Sequence, residues 1–163
     1  MNAKDTARCR GRTVSLRACT EADLPAILDI ERASYPTAWT RTAFVHELHN
    51  QHGRFVVAEQ HGRVVGYVCS WLIIDEVHIL NIAVQPACRR HGIGHALLGQ
   101  ILVQAGQAGA RTANLEVRRS NRAAIRLYQQ FDFETVSVRR GYYADGEDGL
   151  LMVKAIEKAG QTP

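Results

Sequence analysis

The chain has 163 residues, 46% of them hydrophobic and 22% charged, with a formal net charge of +4. That length and balance suit one globular domain with a substantial core. No apolar run approaches the ~20 residues of a membrane-spanning helix, and the basic N-terminus MNAKDTARCRGR lacks the apolar stretch of a secretory signal. The basic excess suits a polyanionic ligand. Without a basic-aromatic RNA motif or zinc-finger spacing, a phosphate-bearing cofactor is a smaller assumption than nucleic acid.

Residues 1–12 are expected to form a basic, flexible arm, 13–158 the domain and 159–163 a flexible tail. Residues 14–18 read as a first strand. Thr20 and Asp23 resemble a capping box opening a helix whose apolar face is Leu24, Ile27, Leu28 and Ile30. Pro36 ends it, and Thr40 caps a second helix through Phe44, Val45 and Leu48. Residues 54–60 and 63–74 read as a hairpin about His61-Gly62, and 76–84 as a fourth strand. A helix from about Gly92 carries Ile93, Leu97, Ile101 and Ala105 on one face and stops near 106–109. Residues 112–117 form a fifth strand. Asn121 caps a helix with Ala124, Leu127, Tyr128 and Phe131 on one face. Residues 133–139 and 150–156 finish as strands flanking a polar loop.

Cys9, Cys19, Cys69 and Cys88 form no CxxC pair, so free thiols in a reducing cytoplasm are expected. His46, His49 and His52 are spaced by three. Each such helical step rotates roughly 300°, so the outer two drift apart and no metal is expected.

Chemistry concentrates in three places. The first is the turn Arg89-Arg90-His91-Gly92-Ile93-Gly94-His95, between an apolar strand and an apolar-periodic helix. Glycines let the backbone approach a ligand, arginines supply forked donors, and a helix N-terminus aims its N–H groups at one spot. A diphosphate fits that description. No Gly-Lys-Ser/Thr follows, so this is not a P-loop, and Leu97 stands where a dinucleotide fingerprint needs its third glycine. The second is Glu116 with Tyr128. Strand alternation puts Glu116 and Asn114 on the face opposite Leu115 and Val117, and a short connection makes this strand and the next helix neighbours. An exposed strand carboxylate and a half-buried packing tyrosine are the plainer readings of these two residues. The third is Tyr35, Trp39, Tyr142 and Tyr143 with Asp145, Glu147 and Asp148. They either line a groove for an amine or basic peptide, or serve as a helix staple and a solvated hairpin tip.

Residues 14–156 resemble the GCN5-related N-acetyltransferase (GNAT) superfamily, and within it the bacterial ribosomal-protein-alanine N-acetyltransferases of the RimI type. The segments that carry the resemblance are Leu80-Asn81-Ile82-Ala83-Val84, Arg89-Arg90-His91-Gly92-Ile93-Gly94, Leu115-Glu116-Val117-Arg118, Ser120-Asn121, Ala123-Ala124-Ile125, Leu127-Tyr128 and Arg139-Arg140-Gly141-Tyr142-Tyr143. The resemblance implies an α/β (α+β) fold, with a mixed, mostly antiparallel twisted sheet of six to seven strands and about four flanking helices. It implies acetyl-CoA as donor, no metal, and direct transfer to the N-terminal amine of a ribosomal protein. Backbone groups of Ile82, Ala83 and Val84 would hold the pantetheine arm. Arg89, Arg90, His91, Gly92, Ile93, Gly94 and His95 would cradle the diphosphate, and Asn121 and Tyr128 would contact the cofactor. Glu116 matches the general base and Tyr128 the general acid, with Glu76 the reserve base. Trp39, Glu76, Tyr142 and Tyr143 are the expected acceptor contacts. Gly141 stands where the family usually has asparagine. A cytoplasmic monomer without nucleic-acid or membrane contact is expected. The rival readings are an acetyltransferase of lysine side chains or small amines, and a non-catalytic acyl-CoA-binding module.

Overall fold

The computed structural model describes residues 14–157. The expected arm (1–12), the tail (159–163) and the outermost domain residues 13 and 158 lie outside the described residues. In chain order the elements are β1 Ser15–Ala18, α1 Leu24–Ser34, α2 Arg41–His49, β2 Gly53–Gln60, β3 Arg63–Ile73 and β4 Glu76–Val84. There follow α3 Ile93–Gln107, β5 Thr112–Arg118, α4 Arg122–Gln129, β6 Glu134–Arg139 and β7 Gly149–Ala155. Two 3-10 turns, Glu21–Asp23 and Pro86–Cys88, were not expected from the sequence.

The strands form a seven-stranded sheet in the order β1-β2-β3-β4-β5-β7-β6. Pairing is antiparallel for β1 with β2, β5 with β7 and β6 with β7, and parallel for β4 with β5. This is the mixed, mostly antiparallel sheet expected. Its order was not legible: the last strand of the chain lies between β5 and β6. The hairpin turn His61-Gly62 has positive φ at both residues, 53° and 72°, as a type I′ turn requires. Among the described residues, no helix is long and apolar enough to cross a membrane.

By contact density the chain divides into two compact units. Among the described residues, one comprises 14–70 with Asn81–Ile101, and the other Trp71–Leu80 with 102–157. In the first unit, α1 buries Leu24, Ile27 and Ile30, the one-sided spacing read from the sequence. Its entry is tied down by Asp23, whose carboxylate accepts from both Arg17 Nη atoms and from Thr20 N, each at 2.8 Å. The Arg17 guanidinium, with Thr20, holds that carboxyl below the usual range. Phe44 sits within 5.3–5.9 Å of the Trp39, Phe55 and Tyr67 rings. Beside this aromatic cluster lies a buried carboxylate, Glu31. It accepts hydrogen bonds from Tyr67 Oη, from Asn81 Nδ2 at 3.0 Å and from the Trp39 backbone N–H at 2.8 Å. Three donors offset the cost of removing the charge from water. Burial, and then proximity to Glu31, pushes the Tyr67 phenol well up.

In the second unit, β5 alternates as expected: Ala113, Leu115 and Val117 are buried, while Asn114, Glu116 and Arg118 face the other way. β6 is an exposed edge throughout, with charges at Glu134 and Arg139 that discourage pairing with another chain.

Cys19 and Cys69 are free, buried thiols; burial pushes Cys19 up to about 12 and Cys69 well up. Cys88 corrects the free-thiol expectation, because it is disulfide-bonded. Wide spacing in the sequence places no limit on closeness in the fold.

Candidate active site

The expected diphosphate turn lies in the first unit and is built by backbone conformation. After β4, Gln85 N donates to Val65 O at 2.8 Å and the chain turns through Pro86–Cys88. Arg89 is exposed but tied back onto the turn. Its Nε donates to Val84 O and its Nη2 to Ser34 Oγ, both at 3.0 Å. Arg89, expected as a phosphate contact, is held to Val84 and Ser34 by these bonds. Arg90 and Gly92 both take left-handed conformations, φ 67° and 79°. Gly92 does so without steric cost; Arg90 is strained, as functional turns often are. His91 Nδ1 lies 3.3 Å from Cys88 O. The helix then begins at Ile93, with Ala96 N bonded to Gly92 O at 2.9 Å. Buried Ile93 and Leu97 anchor its first turns. The first N–H groups of any α-helix lack intrahelical acceptors, so residues 92–95 present an anion-seeking end. In β4, Ile82 and Ala83 are buried, and the Ile82 carbonyl accepts a hydrogen bond from Tyr35 Oη. Trp39, an expected acceptor contact in this unit, packs its ring on Phe44.

The expected base lies in the second unit, in a cluster made of side chains. Glu116 pairs in register with Leu151 of β7, which in turn pairs with Ser137 of β6. One alternation further along, Gly149 pairs with Arg118 on one side and Arg139 on the other. These residues share a face of the sheet. Arg139 Nη2 lies 3.5 Å from Glu116 Oε1. Gly149 has no side chain because the Tyr142 ring occupies that space: a Cβ there would lie 3.0–3.2 Å from Tyr142 atoms. The Arg139 guanidinium sits 5.5 Å from the centre of that ring, and Tyr143 meets Tyr142 edge-on at 5.0 Å.

Arg118 lies 4.1 Å over the Tyr143 ring and donates to Asp145 at 2.8 Å and Glu147 at 2.9 Å. Glu147 also accepts from Ser120 N at 2.8 Å. Ser120, and then Arg118, hold the Glu147 carboxyl down to about 2. The Glu147 backbone N–H, and then Arg118, lower Asp145. The loop stays exposed at residues 144–146, but Arg118 engages its carboxylates and ties it to the end of β5. Burial first, and then Tyr142, pushes the Tyr143 phenol up to about 12, so it remains a neutral hydrogen-bond donor near Glu116.

Three other expected site residues, Glu76, Asn121 and Tyr128, belong to the same unit. Glu76 starts β4, pairs in register with Thr112, and contacts His78 Nε2 at 3.2 Å and Asn114 Nδ2 at 3.5 Å. Four residues of strand, about 13 Å, separate that position from Glu116. Tyr128 is buried in α4, its ring 5.9 Å from that of Phe133. Asn121 Oδ1 caps α4 by accepting from Ala124 N at 3.2 Å.

Residues 24–133 match the Acetyltransferase (GNAT) family. The chain belongs to that family. As an acetyltransferase of this family, it is 35% identical over 137 residues to the [ribosomal protein bS18]-alanine N-acetyltransferase of Escherichia coli K12, covering 82% of this chain and 92% of that one. It is 36% identical over 156 residues to an N-alpha-acetyltransferase of Sulfurisphaera tokodaii, covering 88% and 93%. The crystal structure of the Escherichia coli ribosomal-protein-S18-alanine N-acetyltransferase superposes with a TM-score of 0.83 at 32% identity, covering 93% of this chain and 99% of that one.

Three features of the structure were missed in the sequence. Glu31, Arg139 as the partner of Glu116, and Gly149 as the seat of Tyr142 all depend on long-range contacts. The one local signal was Arg139's place directly before the Arg140-Gly141-Tyr142-Tyr143 run.

Proposed function

We propose that the protein transfers acetyl from acetyl-CoA to the N-terminal amine of a protein, with the N-terminal alanine of ribosomal protein S18 as acceptor, in the manner of its relatives. The observation that carries the donor half is the braced turn into α3, where left-handed Arg90 and Gly92 open the helix N-terminus. Coenzyme A carries a diphosphate, and such an end suits it. In this reading Arg90 and the backbone N–H groups of residues 91–95 take the diphosphate while Arg89 holds the turn in shape. The backbone of residues 82–84 binds the pantetheine arm in a strand-like way. Asn121 contributes through its amide nitrogen, since Oδ1 is used by the helix cap.

The chemistry follows from the amine. Only a neutral amine attacks a thioester. Deprotonating an α-amine of pKa ~7.7–8.0 at pH 7 costs about 1 kcal/mol, against about 4–5 for a lysine near ~10.4. Glu116 takes the proton as general base, directly or through water. Backbone N–H groups around Val84 stabilise the tetrahedral oxyanion. Tyr128 protonates the departing thiolate; a phenol near ~10 serves a thiolate near ~8.5 because it re-equilibrates with water afterwards. Transfer is direct, without a covalent enzyme intermediate. Tyr142, Tyr143 and Trp39 contact the acceptor, while Glu76, at the far end of β5's pairing with β4, contributes to acceptor binding only through a longer segment. The protein acts as a cytoplasmic monomer.

Calorimetry with coenzyme A and acetyl-CoA tests the donor half. Saturable heat that weakens on Arg90→Ala is expected, and no heat with either ligand would overturn the reading.

A further inference from the structure

Glu116 already has a partner in the protein itself. Its carboxylate lies 3.5 Å from the Arg139 guanidinium, and the two residues come from β5 and β6, on either side of β7. The arrangement is built around an absent side chain. Because Gly149 leaves its position on β7 open, the Tyr142 ring settles there, and Arg139 lies over that ring 5.5 Å from its centre. The neighbouring guanidinium, Arg118, is engaged by Asp145 and Glu147. Tyr143, raised to about 12, adds no charge. Arg139 is thus positioned to neutralise Glu116 before any acceptor arrives.

We propose that Arg139 is a specificity-determining counter-ion, which withholds the Glu116 carboxylate from protonated amines and so favours α-amines over lysine side chains. The inference rests on Glu116 being the base of the proposed acetyl transfer. At pH 7, roughly a tenth to a fifth of α-amines are neutral, against about one lysine in a few thousand. That is a difference of about 200–400-fold, and an unpaired carboxylate offers a docking charge to the ammonium form that nearly all lysine side chains hold. A carboxylate–guanidinium pair carries no net charge, so it draws an ammonium less strongly than a bare carboxylate. Neutral amines pay no such penalty. Arg139 acts on the acceptor through Glu116, as a positioning residue, and takes no part in bond making.

The test compares kcat/KM for two peptides, one with a free N-terminal alanine and no lysine, the other N-terminally blocked with a single lysine. In Arg139→Gln, and in Arg139→Met, which keeps an aliphatic stem over Tyr142, the lysine-to-α-amine ratio is expected to rise at least about tenfold. Most of the rise should come from a lower KM for the lysine peptide. Arg139→Lys keeps the charge and is expected to hold the ratio within about threefold of the parent. An unchanged ratio in the neutral variants, or an equal rise in Arg139→Lys, would overturn the proposal. Glu116→Gln separates the two layers. If it keeps full turnover, the base assignment itself is wrong; if it is inactive while Arg139→Gln and Arg139→Met leave the ratio fixed, Arg139 alone is misassigned.

Discussion

The turn into α3 and the cluster around Glu116 solve opposite problems by different means. In the proposed function the turn receives an anion, and it is made of backbone: two left-handed residues, a helix start, and one arginine bonded to Val84 and Ser34. The cluster, in the proposed function, must take a proton from an amine, and it is made of charged and aromatic side chains from β5, β6 and the loop between β6 and β7. A backbone site depends on conformation and is damaged by a residue of the wrong φ. A side-chain site depends on neighbours and is damaged by a lost partner. The two should therefore fail differently: the turn in donor affinity, the cluster in turnover and acceptor choice.

The largest expected effect tests the chemistry directly. Tyr128→Phe should lower kcat by about 10²–10⁴-fold while the Kd for acetyl-CoA moves less than about threefold. Steady-state kinetics with calorimetry checks this, and unchanged turnover would remove Tyr128 from the mechanism. Glu116→Gln should lower kcat by about 10²-fold or more and abolish or shift the acidic limb of the pH–rate curve. A limb that stays in place would assign the base elsewhere.

At the turn, Gly92→Val should raise the Kd for coenzyme A about tenfold, since a β-branched residue at φ 79° costs roughly 1–3 kcal/mol. The kcat at saturating donor should change little. If kcat falls and Kd holds, the contrast between the two regions is wrong. At the cluster, Gly149→Ala should do the reverse. Its methyl would meet Tyr142 at 3.0 Å, displacing the ring and with it Arg139. Acceptor KM is expected to rise by about 3–10-fold with donor affinity unchanged.

The smallest effect is in acid stability. Glu147 is held down to about 2 in the folded protein, against ~4.3 unfolded. A lowered carboxyl contributes stability above the unfolded value and loses it as pH falls toward the folded one. The Tm difference between the parent and Glu147→Gln should thus be small but present at pH 6, and should vanish as pH approaches 2. Thermal melts across that range check the sign.

How much could be read in the sequence follows the same division. The strand–turn–helix carrying Arg90 and Gly92 is local, and its residue types announce its geometry. The alternation of β5 likewise placed Glu116 on the polar face, and Thr40 and Asn121 announced their caps. The partners of Arg89, Ser34 and Val84, were not evident from the turn. The cluster was only half legible. No local signal says that β7 lies between β5 and β6, so the pairing of Gly149 with both arginines could not be seen. Without that order, Asp145 and Glu147 read as open carboxylates, although Arg118 engages both. Glu31 sits on the buried face of an amphipathic helix, where its donors from Tyr67 and Asn81 arrive from distant strands.

The most direct test of acetyl transfer to an α-amine is tandem mass spectrometry of a ribosomal protein S18 substrate after incubation with the enzyme and isotope-labelled acetyl-CoA. The expected result is one labelled acetyl on the first residue, absent from every lysine and lost with Glu116→Gln. Label on lysine side chains with a bare N-terminus, or no label at all, would contradict it.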